Sequence, residues 1–156
     1  MDHTPTNPTP SDAEINSAAN QLRDLIAIKT SKLADQLLHS PEFGTPEWEQ
    51  EWNQRDTPEG QQRQAKWHLT KIRIQRAADI DPLGNVINAR VFGADWDQIG
   101  AAYGIDATDA ADRWNRACSG YVERLDAIRS QANPEPAQQD PAPSLDRPRN
   151  RIERSR

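Results

Sequence analysis

The placement of proline strongly limits what this 156-residue chain can fold into, because proline lacks a backbone N–H and fits a helix only in its first turn. Of its twelve prolines, eight are crowded towards the two ends and four are isolated between them. Crowded prolines among few apolar residues are typical of disordered segments. We therefore expect tails over residues 1–10 and 133–156, the second with a Pro-rich linker and an Arg-rich end, around an ordered body over residues 11–132.

Apolar residues in the ordered body recur three and four positions apart, which is the spacing of one face of an α-helix. Alternation with period two is absent, and helix-start signals such as Ser11 with Glu14 precede the apolar runs. The sequence therefore predicts an all-α protein. We expect an N-terminal helical hairpin over residues 11–80 and, packed on it in one domain, a tri-helical unit with a long last helix over residues 81–132.

The first predicted helix runs from Ser11 to about His39 and carries an apolar seam that is interrupted only by Lys29. The helix can bury this seam against the rest of the chain, or two copies can pair through it as a homodimer. The seam consists of Ile15, Ala19, Leu22, Ile26, Leu33 and Leu37.

Two tryptophans lie four positions apart in the acidic stretch PEWEQEW, where a short helix is predicted from Thr45. Trp48 and Trp52 would share one face of that helix. Tryptophans at this spacing usually belong to a core, here against the first helix. The alternative is a surface that binds another protein.

The third predicted helix, from Thr57 to about Ala78, has apolar residues on two nearly opposite sides, which indicates a central helix between two layers. A polar ridge lies between the two apolar stripes. It could contact nucleic-acid phosphates, although a solvated helix face is the simpler interpretation. The ridge consists of Arg63, Lys66, Thr70 and Arg73.

Two helices joined by a tight turn are predicted next, and the first begins with a capping box of Asp95 and Gln98. Gly104 supplies a left-handed turn, and Asp106 caps the long last helix. Gly100 has no side chain, so the two helices can approach closely. These signals together predict a helix-turn-helix.

Apolar stripes on the helices around this turn define the expected core. In the helix before it, from Asp81 to Gly93, the inward residues are Leu83, Val86, Ile87 and Val91. On the last helix they are Ala110, Trp114, Ala117, Cys118, Tyr121, Leu125 and Ile128.

The segment over residues 82–116 resembles the helix-turn-helix of small actinobacterial and phage DNA-binding proteins. In that family a Trp-x-x-Ile-Gly-x-x-x-Gly run precedes a helix with Ala-Ala and an Arg-aromatic pair. The resemblance implies that the start of the last helix faces base edges of DNA. The matching residues are Trp96, Ile99, Gly100, Gly104, Ala110, Ala111, Arg113 and Trp114.

The residues that would face the bases lack positive charge. Family members tend to place Ser, Arg and Gln at the first three of these positions, where this chain has Asp-Ala-Thr, so no basic group is available for guanine. Arg113 and Arg116 could contact phosphates, but each follows an acidic residue by four positions and could pair with it instead. The alternative is therefore a solvated, self-neutralised face. The base-facing candidates are Asp106, Ala107, Thr108, Ala111, Asp112 and Asn115.

The net charge of −5 is unevenly distributed: residues 1–56 carry −6, residues 57–80 carry +3, residues 81–131 carry −3 and residues 132–156 carry +1. DNA-binding proteins present a basic face, which here only the second segment and the arginines of the tail can supply. That tail could be a flexible basic arm or a solubilising end.

Several other classes of function have no support in the sequence. One cysteine and three scattered histidines predict no metal site, and we expect no cofactor. Motifs for a nucleophile or a phosphate-binding loop are missing, so we expect no enzyme. Neither a leader-like start nor an apolar run of about 18 residues is present, so we expect a cytoplasmic protein without membrane contact. The prediction is a DNA-binding regulatory protein, with a non-enzymatic protein-interaction adaptor as the alternative.

Overall fold

The computed structural model describes residues 9–132, which form six α-helices and no strand. The predicted all-α fold is therefore confirmed. None of the described helices combines the length and the apolar character needed to cross a membrane. The predicted C-terminal tail and most of the N-terminal one lie outside the described residues. The helices are α1 (Asp12–Leu38), α2 (Pro46–Asn53), α3 (Pro58–Ala77), α4 (Leu83–Val91), α5 (Trp96–Tyr103) and α6 (Ala107–Ala132).

Side-chain caps fix the starts of α1, α2, α3 and α5, and also of α6, at the positions that the sequence predicts. At the start of α1, the Ser11 N–H and hydroxyl each donate to Glu14 Oε2 at 2.8 Å, and Ser11 Oγ accepts from the Glu14 N–H. Thr45, Thr57 and Asp95 accept in the same way in the first turns of α2, α3 and α5. These bonds satisfy N–H groups that have no partner within the helix, so a short local signal is enough to set each boundary.

Helix α3 is the central element and packs against α1, α4 and α5. This position agrees with the apolar residues on its two sides. Ile72 of α3, Val86 of α4 and Ile99 of α5 are fully buried where these helices meet. Trp114 and Cys118 extend the same core onto α6.

A buried polar chain connects α3 to α4, which the spacing of apolar residues does not predict. Asn85 Nδ2 donates to Gln75 Oε1 at 2.7 Å, and Asn85 Oδ1 lies 3.1 Å from His68 Nδ1, from which it accepts. The His68 ring also stacks on Phe92, with ring centroids 5.5 Å apart. Burial lowers the pKa of His68 to about 4, which the positive charge of Lys71 reinforces and the bond to Asn85 opposes.

Two predicted inward residues, Val91 and Ile128, are exposed. On α4 the buried residues are Asn85, Val86 and Ala89. The two hydrogen bonds of Asn85, to His68 and Gln75, turn the face of α4 that carries Asn85 towards α3. On α6 burial ends near Cys118. Residues up to 122 belong to one compact unit, and Ile128 lies in the part of α6 that continues beyond it.

Candidate functional site

The turn between α5 and α6 is held by backbone contacts that require glycine. Gly104 has φ +84°, and its N–H donates to the Gly100 carbonyl at 2.7 Å. A Cβ on Gly100 would lie 2.7 Å from the Ile105 carbonyl oxygen, which is closer than real Cβ contacts. Asp106 Oδ1 accepts from the Asp109 N–H at 2.8 Å and caps α6. The start of α6 is therefore fixed relative to α5.

Three arginines from two helices lie beside α5 and the turn that follows it. The Tyr103 ring at the end of α5 has the Arg113 guanidinium 5.0 Å from its centroid and that of Arg76 at 5.9 Å. The Arg76 side chain also lies against Gly104, where a Cβ would collide with it. Arg73 and Arg76 line a groove of about 490 Å³ beside α5. We call Arg73, Arg76 and Arg113 the arginine cluster.

The base-facing candidates lie mostly on the surface at the start of α6. Thr108, Asp112 and Asn115 are exposed. Asp106 is exposed too, but its carboxylate is engaged as the cap of α6. Ala107 and Ala111 are half-buried. This surface can contact a ligand, and the exposed carboxylates of Asp106, Asp109 and Asp112 make it acidic.

The phosphate candidates do not form one continuous surface. Arg63 donates to Gln54 Oε1 at 3.4 Å, and Arg63 and Lys66 line a different cavity from the one that contains Arg73. Arg113 and Arg116 are exposed on α6.

The expected pairs of Asp109 with Arg113 and of Asp112 with Arg116 are not among the ion pairs of the described residues. Arg113 lies instead over the aromatic rings of Tyr103 and Trp114. Arg76 was not singled out from the sequence, although its position three residues after Arg73 is a usable signal.

A second candidate site is a cavity of about 480 Å³ between the end of α1, α2 and the first half of α3. Trp48 and Trp52 stack with their centroids 5.5 Å apart, and Phe43 meets Trp48 edge-on at 4.6 Å. Phe43 is 84% exposed and Trp52 is 52% exposed, and Trp48 is only half-buried. The two tryptophans are therefore not part of the core, which is where their spacing favoured placing them. We call this the aromatic cavity.

The inner wall of the aromatic cavity joins α1 to α3. Trp67 Nε1 donates to Asp35 Oδ1 at 2.8 Å, and Lys71 Nζ lies 3.9 Å from the Trp67 ring centroid. Burial lowers the pKa of Lys71, and the negative charge of Asp35 opposes this effect. At the outer wall, the Arg55 guanidinium lies 4.6 Å from the Trp52 ring centroid. The cavity therefore combines aromatic surface with charges of both signs.

Among the described residues, no group of His, Cys, Asp and Glu side chains is arranged to hold a metal ion. Burial raises the pKa of the Cys118 thiol, which keeps it in the unreactive protonated form at neutral pH.

Comparison of the chain with protein-family models, with curated proteins and with solved structures finds no match.

Proposed function

We propose that this chain is a DNA-binding regulatory protein that presents the start of α6 to DNA and holds the phosphate backbone with the arginine cluster. The observation that carries the proposal is the convergence of Arg76 and Arg113 on Tyr103, at the turn that leads into α6. Guanidinium groups are well suited to phosphate, because their N–H donors match its oxygens.

The arginines of the cluster are available for such contacts. Arg73, Arg76 and Arg113 are exposed, and none takes part in the ion pairs of the described residues. Two of them lie over an aromatic ring, which orients a guanidinium without neutralising its charge. Phosphate contacts would supply affinity that does not depend on base sequence.

The acidic start of α6 limits how DNA would be read. A carboxylate at Asp112 is repelled by phosphate, yet it could accept from a cytosine amino group, and Asn115 could pair with adenine. The proposed complex therefore derives its affinity from arginine and only a modest part of its selectivity from α6.

Fluorescence anisotropy with mixed-sequence DNA at two salt concentrations tests the proposal. Arg76→Ala and Arg113→Ala should each weaken binding, and the slope of log K against log salt should become shallower by about one unit for each lost phosphate contact. Asp112→Asn should tighten binding by removing repulsion. If Asp112 reads cytosine, the same change weakens binding at one base position only.

Arg55→Ala is the matched control, because it removes the same charge from the aromatic cavity rather than from the arginine cluster. It should leave affinity and salt slope nearly unchanged. Lack of binding at low salt, or equal losses in Arg55→Ala and Arg76→Ala, would overturn the proposal.

The second candidate function is a protein-interaction adaptor that uses the aromatic cavity, and the exposure of Phe43 and Trp52 favours it. Helix α2 carries three glutamates and no basic residue, so its partner would be basic. The position of Arg55 on Trp52 shows that a guanidinium fits this ring.

An arginine-rich peptide should quench tryptophan fluorescence in the native protein and not in Trp52→Ala. Quenching by a polylysine peptide and not by the arginine-rich one would indicate nonspecific charge attraction.

A further inference from the structure

The N-terminal part of α1 presents an apolar seam that the described chain covers only in part. Ile15 and Leu22 are exposed, Ala19 and Ile26 are half-buried, and the buried residues of α1 are only Thr30 and Ala34. Helix α1 packs on α3, and its buried residues lie in its C-terminal part, so residues 12–29 contain none. This segment is about 25 Å long at a rise of about 1.5 Å per residue.

The seam has the spacing of a coiled coil. Positions 12, 15, 19, 22, 26 and 29 alternate by three and four residues, which places them at successive a and d positions of a heptad. The four inner positions are apolar, and the two outer ones carry opposite charges. They are Asp12 at the start, Ile15, Ala19, Leu22 and Ile26 between, and Lys29 at the end.

We propose that two copies of this chain pair antiparallel through α1, with Asp12 of each copy opposite Lys29 of the other. In this register Ile15 faces Ile26 and Ala19 faces Leu22, so each layer joins an a position to a d position. The segment is symmetric about its centre, and both of its charges gain a partner. It ends just before Thr30, the first buried residue of α1.

The charges decide the orientation of the pair. In a parallel pair, Lys29 of one copy would lie opposite Lys29 of the other, and Asp12 would lie opposite Asp12. The seam would then contain two like-charge contacts. The antiparallel pair replaces both with opposite-charge contacts. The inference is independent of the proposed DNA binding, because it uses only the sequence and exposure of α1.

Sedimentation equilibrium of the full chain tests whether the seam forms the dimer. Wild-type protein should be dimeric, and Leu22→Glu should weaken dimerisation at least tenfold without loss of helix content by circular dichroism. Leu37→Glu is the matched control, since Leu37 belongs to the full apolar seam but lies beyond Thr30, outside the paired segment over residues 12–29, and is 64% exposed against 58% for Leu22. A monomeric wild type, or equal effects of the two changes, would overturn the proposal.

Charge reversal tests the orientation. Asp12→Lys and Lys29→Asp should each weaken the homodimer, because they place like charges opposite each other at both ends of the seam. Mixing the two variants should restore pairing as a heterodimer in which both end contacts are attractive. In a parallel pair each position faces itself, so each reversal exchanges one like-charge contact for another and leaves the homodimer unchanged. That result would disprove the antiparallel register.

Discussion

At the scale of single residues, the buried His68 owes its state to the groups that surround it. Phe92 covers its ring, Asn85 accepts from its Nδ1, and Lys71 lies nearby as a second positive group. A charged imidazole in this environment would lose its hydration and be repelled by Lys71. The sequence could not predict this arrangement, because an isolated histidine in a helix gives no sign of the asparagine that meets it from α4.

Protonation of His68 should make folding stability depend on pH. Its pKa is about 4 in the folded protein against 6.5 ordinarily, so the unfolded chain binds the proton more readily. The contribution of neutral His68 is complete above pH 6.5 and is lost as the pH falls towards about 4, at a cost of about 2–3 kcal/mol.

Urea denaturation between these pH values measures the effect. His68→Gln should lose less stability on acidification than the native protein. The exposed His39 provides a control, and His39→Gln should follow the native pH dependence. Parallel pH curves for the native protein and His68→Gln would rule out this account.

Trp114 and Trp52 should respond very differently to the same truncation. Trp114 is 4% exposed in the core and meets Tyr103 edge-on at 5.1 Å, so Trp114→Ala should destabilise the fold by about 3–5 kcal/mol. Trp52 is half exposed, and Trp52→Ala should cost about 1 kcal/mol or less. Thermal and urea denaturation of both variants check the contrast. A near-native Trp114→Ala would mean that α6 does not bury this face.

At the scale of helices, boundaries were predictable and buried faces only partly so. Ser11, Thr45, Thr57 and Asp95 set helix starts through bonds that span three residues, and such bonds can be identified in the sequence. The orientation of a face depends on partners that are distant in the chain. Val91 is exposed because Asn85, a polar residue, occupies the contact with α3.

The close contact between α5 and α6 should make Gly100 far less replaceable than Gly84. A methyl group at Gly100 would lie 2.7 Å from the Ile105 carbonyl oxygen, so Gly100→Ala should destabilise by about 1–3 kcal/mol. Nothing lies within 4 Å of the corresponding position at Gly84, and Gly84→Ala should stabilise α4 by about 0.5–1 kcal/mol. Urea denaturation measures both changes, and equal effects would contradict the tight turn.

At the scale of the whole molecule, the net charge of −5 conceals a local concentration of arginine. Sequence segments could show that residues 57–80 are basic, but not that Arg73 and Arg76 lie beside α5 while Arg63 and Lys66 line the aromatic cavity. Helical periodicity places residues on a face of one helix only. Which faces of α3, α5 and α6 meet is set by the packing of Ile72, Ile99 and Trp114 in the shared core.

If two copies pair through α1 and each copy binds DNA, the two sites act together on one duplex. The second contact then becomes intramolecular, which raises the apparent affinity without any new interaction.

Leu22 lies outside the arginine cluster. Leu22→Glu should therefore leave binding to a duplex of about 10 base pairs, one helical turn, unchanged. On a duplex of several turns it should weaken binding tenfold or more, whereas Arg76→Ala should weaken binding to both. Anisotropy titrations with the two duplexes distinguish these cases. Equal affinity of native protein for both lengths would show that the copies bind independently, and a loss on the short duplex in Leu22→Glu would place α1 within the DNA contact itself.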